Sequence, residues 1–385
     1  MSNKINSQTR VGTKKRLRKR IKFVLIPLIV AVLAVGSYGT YLYIKAETAL
    51  SGAYENDERG SGKSDLRDDY VDPKFDNVSI LIMGVDENEK RQEREVARTD
   101  ALILATLNKD DKSVKLLSIP RDSLVYIPDI GYEDKINHAH AFGGTYATME
   151  TVETLLDIPV DYYVKLNFRS FVDVVDAIDG VEVDIPYEFK ESNSFDKRDS
   201  IHLYPGIQNL DGEEALAFAR TRKKDSDFDR GQRQLELIDS VIDKSTSLTQ
   251  ILKYDDIIEA VGDNMSTNMT FMEMKSFFSY ATHGKNIDVE QLSLEGYDYQ
   301  PENIYYWQLD ENSLQNTIIK LKAHLELEGY TEDDVVDEEE IDEENNSYEE
   351  DNLNNESYEE TYEEDPYEQE RSYENEYNEQ EEYSY

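Results

Sequence analysis

Three predominantly apolar runs, Val78–Gly84, Ala101–Leu107 and Val114–Ile119, open the globular part of the chain. Runs of this kind, without polar alternation, predict strands covered on both faces. Helical periodicity follows over Thr145–Leu156 and Phe171–Ile178, alternating with strands over Tyr162–Leu166 and Val181–Ile185, the latter ending at Pro186. A short helix over Asp211–Ala219 precedes a longer one that reaches about Lys244 on the stripe Leu235, Ile238, Ile242. Thr270 and Glu273 have capping-box spacing ahead of Phe277 and Phe278, with Gly284 as a stop signal. Asp288–Leu294 alternates like a strand, and Leu314, Ile318, Leu321 and Leu325 line one face of a last helix ending near Gly329. Strands alternating with helices predict one α/β domain over residues 75–330, with helices covering both faces of its sheet.

The flanking segments have a different character. Phe23–Ile44 is 22 residues without a charge, about 33 Å as a helix and enough for a hydrocarbon core of about 30 Å. Residues 1–22 hold nine Lys/Arg and no acid, which keeps them cytoplasmic and places everything after Lys45 outside the cell. The alternative is a cleaved signal peptide with Ala34-Val35-Gly36 as its cleavage site, although the apolar stretch exceeds the usual run of roughly 7–15. Residues 45–74 are polar, contain Gly52, Gly60 and Gly62, and read as an extracellular stalk. Residues 331–385 hold 26 Asp/Glu against one Arg, with Tyr358, Tyr362, Tyr367, Tyr373 and Tyr377 recurring among them. So few aliphatics cannot offset ordering entropy, so this acidic tail is predicted to be disordered. It is either a solvated polyanion or a segment that docks on a cationic surface. The formal net charge of -42 argues against nucleic-acid binding, and the absence of Cys excludes disulfides and thiol chemistry.

Against that acidity, Arg220–Gln234 stands out with six cations: Arg220, Arg222, Lys223, Lys224, Arg230 and Arg233. Arg forks bind phosphate or carboxylate oxygens in pairs, and Arg230, Arg233 and Gln234 fall on the first turn of the predicted long helix, where free N–H groups favour anions. The stretch is therefore an anion site, with phosphate or diphosphate as its ligand, or a solvated charged loop. Three further clusters sit at strand ends: Asp86 after the first strand, Arg98 and Asp100 opening the second, and Arg121 and Asp122 closing the third. If the second strand runs antiparallel to its neighbours, all three reach one rim. Two carboxylates beside arginines suit Mg2+ shared with phosphate oxygens, or else they form ordinary strand-end salt bridges. His138-Ala139-His140 suggests either a metal pair or local hydrogen bonding, and Trp307 either a core or rim aromatic or a glycan platform. G-x-S-x-G, H-E-x-x-H and P-loop motifs are absent.

Taken in order, Asp86, Arg98–Asn108, Ser118–Asp122, Lys135–Ala139, Gly143-Gly144, Val175–Val183, Leu210–Leu216, Arg220/Arg222 and Asp227–Gln234 resemble the LytR-CpsA-Psr family. The resemblance implies a central mixed β-sheet flanked by helices, outside the membrane of a Gram-positive cell. It implies a phosphotransferase that moves a polyprenyl-diphosphate-linked wall glycopolymer, such as a teichoic acid, onto the muramic acid 6-hydroxyl of peptidoglycan. By position, Asp86 and Asp100 would hold Mg2+. Arg98, Arg121, Arg220, Arg222, Arg230, Arg233 and Gln234 would grip the diphosphate, with the lipid in an apolar groove between sheet and helices. Arg98 and Arg121 would stabilise the developing charge, and Asp122 is the candidate base for the acceptor hydroxyl, with Asp100 as rival; Asp122 otherwise orients Arg121. A polyprenyl-diphosphate hydrolase and a non-catalytic envelope sensor are the alternatives. Two positions depart from the family pattern: the acidic run after Asp86, and Asp179 where the family usually has Gly.

Overall fold

The computed structural model describes residues 36–49, 51–55, 59, 62–85, 97–223, 227–245, 265–282 and 288–335. Asp86 and the acidic run after it, Lys224, Gly284, most of the long apolar stretch and the acidic tail beyond Val335 lie outside the described residues, whereas residues 331–335, expected to be disordered, form a capped turn over Glu332–Asp334. Among the described residues no helix is long and apolar enough to cross a membrane.

The three apolar runs become β1 (Val78–Val85), β2 (Thr99–Asn108) and β3 (Ser113–Ser118). They form the middle of a six-stranded sheet completed by β6 (Tyr162–Asn167), β11 (Met265–Thr267) and β12 (Asp288–Ser293), in the order β11-β6-β1-β2-β3-β12. β2 is antiparallel to both β1 and β3, whereas β1–β6 and β3–β12 are parallel, so the sheet is mixed. Period-2 alternation divides the apolar side chains between two layers. Leu81, Met83, Leu102, Leu104 and Leu117 pack on one face beneath helices α1 (His138–Leu156) and α6 (Glu311–His324). Ile103, Ala105, Leu107 and Leu116 pack on the other with Leu235, from α4 (Asp227–Ser245), and Phe277, from α5 (Phe271–Thr282).

A smaller layer holds α2 (Phe168–Ala177), α3 (Gly212–Arg220) and the ribbon of β7 (Val181–Ile185) with β10 (Gly206–Leu210) around their own apolar cluster. β8 (Phe189–Glu191) and β9 (Ile201–Leu203) form a hairpin beside it. Caps set the helix starts. Asn167 accepts from the Ser170 N–H at 2.9 Å, and Asp211 and Glu214 form a capping box. Thr270 and Glu273 form the one expected ahead of α5. α1 begins seven residues earlier than the predicted Thr145, because Gly143 and Gly144 interrupt the helix without ending it. Two further ribbons, β4 (Leu124–Ile127) with β5 (Tyr132–Lys135) and β13 (Gly296–Tyr299) with β14 (Tyr306–Leu309), were not anticipated.

The stalk expected over residues 45–74 is corrected by the structure. Ala53 is buried, and residues 53–55 exchange backbone hydrogen bonds with Thr267 of β11 at 2.8 and 2.9 Å. Arg59 donates to the Val160 carbonyl at 2.8 Å. Arg67 grips the buried Asp161 carboxylate through Nε at 2.9 Å and Nη2 at 2.7 Å, and the Ser79 N–H donates to the same carboxylate. The polar sequence suggests a solvated segment, but Arg67 is the partner that lets the Asp161 carboxylate sit inside, while Arg59 ties down the Val160 and Asp161 carbonyls. Removing one partner of such a pair strands the other. Arg67→Ala is therefore expected to cost about 3 kcal/mol of stability in chemical denaturation, and a loss below about 0.5 kcal/mol would show that the pair is not integral.

His324 at the end of α6 lies inside, its Nδ1 2.8 Å from Thr106 Oγ1 and its Nε2 2.8 Å from Ser113 Oγ. Burial, aided by Lys115, pushes its imidazole down to about 4 from 6.5. As pH falls below 6.5 the unfolded chain takes up this proton first, so stability is lost between pH 6.5 and 4 and levels off below, by roughly 3 kcal/mol. His324→Gln is expected to flatten that part of the stability–pH curve; a curve parallel to the parent's would assign the loss to other groups.

Candidate active site

Because β2 runs against both neighbours, the C-terminal ends of β1 and β3 and the start of β2 share one rim. Val85 pairs with Thr99, and the Ile119 N–H donates to the Leu102 carbonyl at 2.9 Å. Arg98, Asp100 and Arg121 all belong to this rim. Arg121 donates through Nη1 to Asp100 Oδ1. Beside the pair opens a cavity of about 380 Å3, lined by Ile82, Ile103, Leu166, Phe171, Leu237 and Ile238 along its apolar walls and by Asp100, Arg121, Arg220, Arg222, Arg230 and Gln234 around its polar end. Sheet, α2, α3 and α4 all contribute to it.

Local structure explains why these side chains converge. α3 closes with Arg220 in its last turn, while α4 presents Arg230 and Gln234 in its opening turns, where unpaired backbone N–H groups add positive potential. α3 approaches α2 closely at Gly212: a Cβ there would stand 2.3 Å from the Val172 carbonyl oxygen. The motif Leu210–Leu216 thus combines a cap, a close approach and a box partner. Gly180, at φ +80°, makes the equivalent turn before β7, and Asp179 holds positive φ where the family pattern has glycine.

The electrostatics are unbalanced. The Arg220 guanidinium lies over the Phe168 ring, 4.6 Å from its centroid, and its buried Nη1 has no hydrogen-bond partner among the described residues. A buried, unsatisfied donor on a cation is costly, and an anion in the cavity mouth would satisfy it.

Not every expected residue converges here. Arg233 points elsewhere: it donates through Nε to the Phe218 carbonyl at 3.0 Å and through Nη2 to the Thr221 carbonyl at 2.5 Å, tying α4 to the end of α3. It was grouped with its neighbours by charge, but one helical step turns it inward. Asp122 does not line the cavity; its carboxylate meets Lys135 at 2.8 Å and Arg121 Nε at 3.7 Å, the geometry of a residue that orients Arg121 rather than of a base open to substrate. Arg98 is exposed at the rim and outside the lining, and Asp86 lies outside the described residues. His138 bonds locally, to Asp134 at 2.8 Å, His140 reaches across to the Ala97 carbonyl at 2.9 Å, and Trp307 is buried. Phe168, Asn167 and Glu191 line the cavity without having been singled out; an Asn cap and an apolar residue carry no sequence signal for an anion site.

No three His, Asp or Glu form a metal cage among the described residues. Mg2+ does not need one, since it is held by one or two carboxylates together with substrate phosphates. Asp100 fits that donor set, with Oδ2 carrying no hydrogen bond among the described residues.

Fold and site define an α/β domain whose apolar cavity ends in a ring of arginines, a shape for an amphiphile with an anionic head. Residues 40–323 match the LytR_cpsA_psr family, and the chain belongs to it. It is 42% identical over 314 residues to the polyisoprenyl-teichoic acid–peptidoglycan teichoic acid transferase TagT of Bacillus subtilis, covering 81% of this chain and 96% of TagT. It is 38% identical to the corresponding transferase TagU of Bacillus licheniformis, over 81% and 98% of the two chains. The crystal structure of B. subtilis TagT superposes with a TM-score of 0.59 at 39% identity, over 70% of this chain and 99% of that one. A structure of YwtF (TagT) with bound octaprenyl pyrophosphate lipid superposes with a TM-score of 0.58 at 37% identity, over 71% and 100%.

Gly212→Ala is expected to force α3 away from α2, lowering stability by about 1–3 kcal/mol and weakening binding of a prenyl diphosphate. Calorimetric titration of the variant with such a ligand checks this; unchanged affinity would mean that the α2–α3 approach does not position Arg220.

Proposed function

We propose that this chain is a membrane-anchored phosphotransferase that takes a polyprenyl-diphosphate-linked wall glycopolymer, of the teichoic acid kind, and joins it to peptidoglycan. The observation that carries this reading is Arg220: a half-buried cation whose buried Nη1 finds no partner among the described residues, at the charged end of an apolar cavity. The transferases named above and the lipid in YwtF support it. The apolar stretch Phe23–Ile44 and the basic segment before it support a membrane anchor with the domain outside.

In this reading the prenyl chain lies along Ile82, Ile103, Phe171 and Ile238, with the diphosphate among Arg121, Arg220, Arg222, Arg230 and Gln234. The acceptor hydroxyl attacks the glycan-linked phosphorus. A phosphodiester forms, the bridging P–O bond breaks, and polyprenyl phosphate leaves with the charge of the broken bond. The arginines stabilise that charge as it moves to the bridging oxygen, so neither a covalent protein intermediate nor a strong general acid is required. Asp100, rather than Asp122, takes the hydroxyl proton or holds the ion near it. Mg2+ held by Asp100 and Asp86 would supply further charge neutralisation at the phosphate oxygens.

The test uses the full-length chain in detergent with labelled lipid-diphosphate donor, Mg2+ and a peptidoglycan oligosaccharide. Label on the oligosaccharide is expected. Free glycan phosphate would instead indicate hydrolysis, and no turnover a sensor. Arg121→Ala and Asp100→Ala are each expected to lower kcat at least 100-fold; near-parental rates in either would contradict the site assignment.

A further inference from the structure

The cavity accounts for the donor but leaves the second substrate without a seat. Next to the rim, two ribbons join edge to edge. The Trp307 N–H donates to the Asp122 carbonyl at 2.9 Å, and Ser123 bridges to Trp307, so the strands β5-β4-β14-β13 run side by side. Alternation turns Val125, Ile127, Trp307 and Leu309 into the core. The opposite face carries tyrosines: Tyr126 on β4, Tyr306 on β14 and, across from β14, Tyr297 and Tyr299 on β13. Tyr126 is 48% and Tyr297 59% exposed, well beyond what packing requires.

This face is tied to the reaction centre. Lys135 of β5 bonds Asp122, which touches the cavity-lining Arg121, and the same ammonium lies 5.6 and 5.7 Å from the ring centroids of Tyr305 and Tyr306. Tyr305 is held in turn by its hydroxyl, which donates to Asp298 at 2.9 Å. Lys135 thus anchors one edge of the tyrosine face, and Glu133, across from Tyr126, and Gln308, across from Tyr297, add polar groups to it. Flat rings interspersed with donors and acceptors suit a ligand with apolar C–H faces and many hydroxyl and amide groups, which describes a sugar chain better than a lipid or a protein helix.

We propose that the tyrosine-bearing outer face of β5-β4-β14-β13 seats the acceptor glycan, a chain of N-acetylated amino sugars, and leads it to the Arg121 rim. The inference rests on the transferase reading above. Its test is steady-state transfer by the full-length chain in detergent, with an uncrosslinked peptidoglycan oligosaccharide as acceptor and the lipid-diphosphate donor varied independently. The double variant Tyr126→Ser/Tyr297→Ser is expected to raise the acceptor KM about tenfold, the loss of roughly one ring–sugar contact, with donor KM and kcat unchanged. Tyr126→Phe/Tyr297→Phe keeps the rings and is expected to restore the parental value. An unchanged acceptor KM in an active double-serine variant overturns the proposal while leaving the transferase reading intact; failure of the parent chain to transfer at all sinks that reading instead. Loss of binding to phospholipid vesicles with unchanged acceptor KM would give the face to the membrane, and would equally overturn it.

Discussion

β2 lies between two strands that run the other way, and the meeting of Arg98, Asp100 and Arg121 at one rim follows from that reversal. A parallel β2 would put Arg98 and Asp100 at the far edge of the sheet, a strand's length from Arg121. Reversed, the start of one strand meets the ends of two others, and polar residues that would each be a local inconvenience in an apolar sheet become a single cluster. The helical layer follows the same logic: the end of α3 and the start of α4 face that rim, so cationic side chains from a helix C-terminus and a helix N-terminus close over it.

The balance of charge at this rim decides what it can hold. Within the described site, Asp100 compensates Arg121, while Arg220 is left on the face of Phe168 with a donor unmet. A ring beneath a guanidinium offsets part of its desolvation but cannot supply a hydrogen bond. The arginine cluster therefore carries an uncompensated cost in a chain that is acidic overall, and an anion relieves it. The apolar walls add the second requirement, a greasy extension. Neither demand alone is specific; together they exclude most soluble phosphates.

Much of this was legible in the sequence, in unequal measure. The strands β1, β2 and β3 were readable because their apolar runs are long and end sharply, β7 because Val181, Val183 and Ile185 alternate with acids ahead of Pro186, and the Thr270/Glu273 box because capping is local chemistry. The rim could be stated only as a condition, since strand direction is a long-range property with no sequence signal. Arg233 and Arg230 show the limit most clearly: same residue type, three positions apart, both buried, yet one lines the cavity and the other braces two carbonyls. The short ribbons β4–β5 and β13–β14 escaped notice because each strand is only four residues long and the partners β5 (Tyr132–Lys135) and β13 (Gly296–Tyr299) carry acids in place of an apolar run. Asp122 could be placed near the chemistry by its neighbour, but not told apart from a base until Lys135 was seen beside it.

The incoming segment at residues 53–55 has a consequence for where the folding unit begins. By pairing with Thr267 it covers the outer margin of β11, which would otherwise present open N–H and C=O groups to any passing strand. A fragment cut at Val78, the first residue of the first long strand, would lose this cover and both arginine partners of the Asp161 region together, leaving a sticky margin above an unneutralised buried acid. The smallest self-sufficient piece of this domain therefore starts some twenty-five residues upstream of β1, within a stretch whose polarity gives no hint of it.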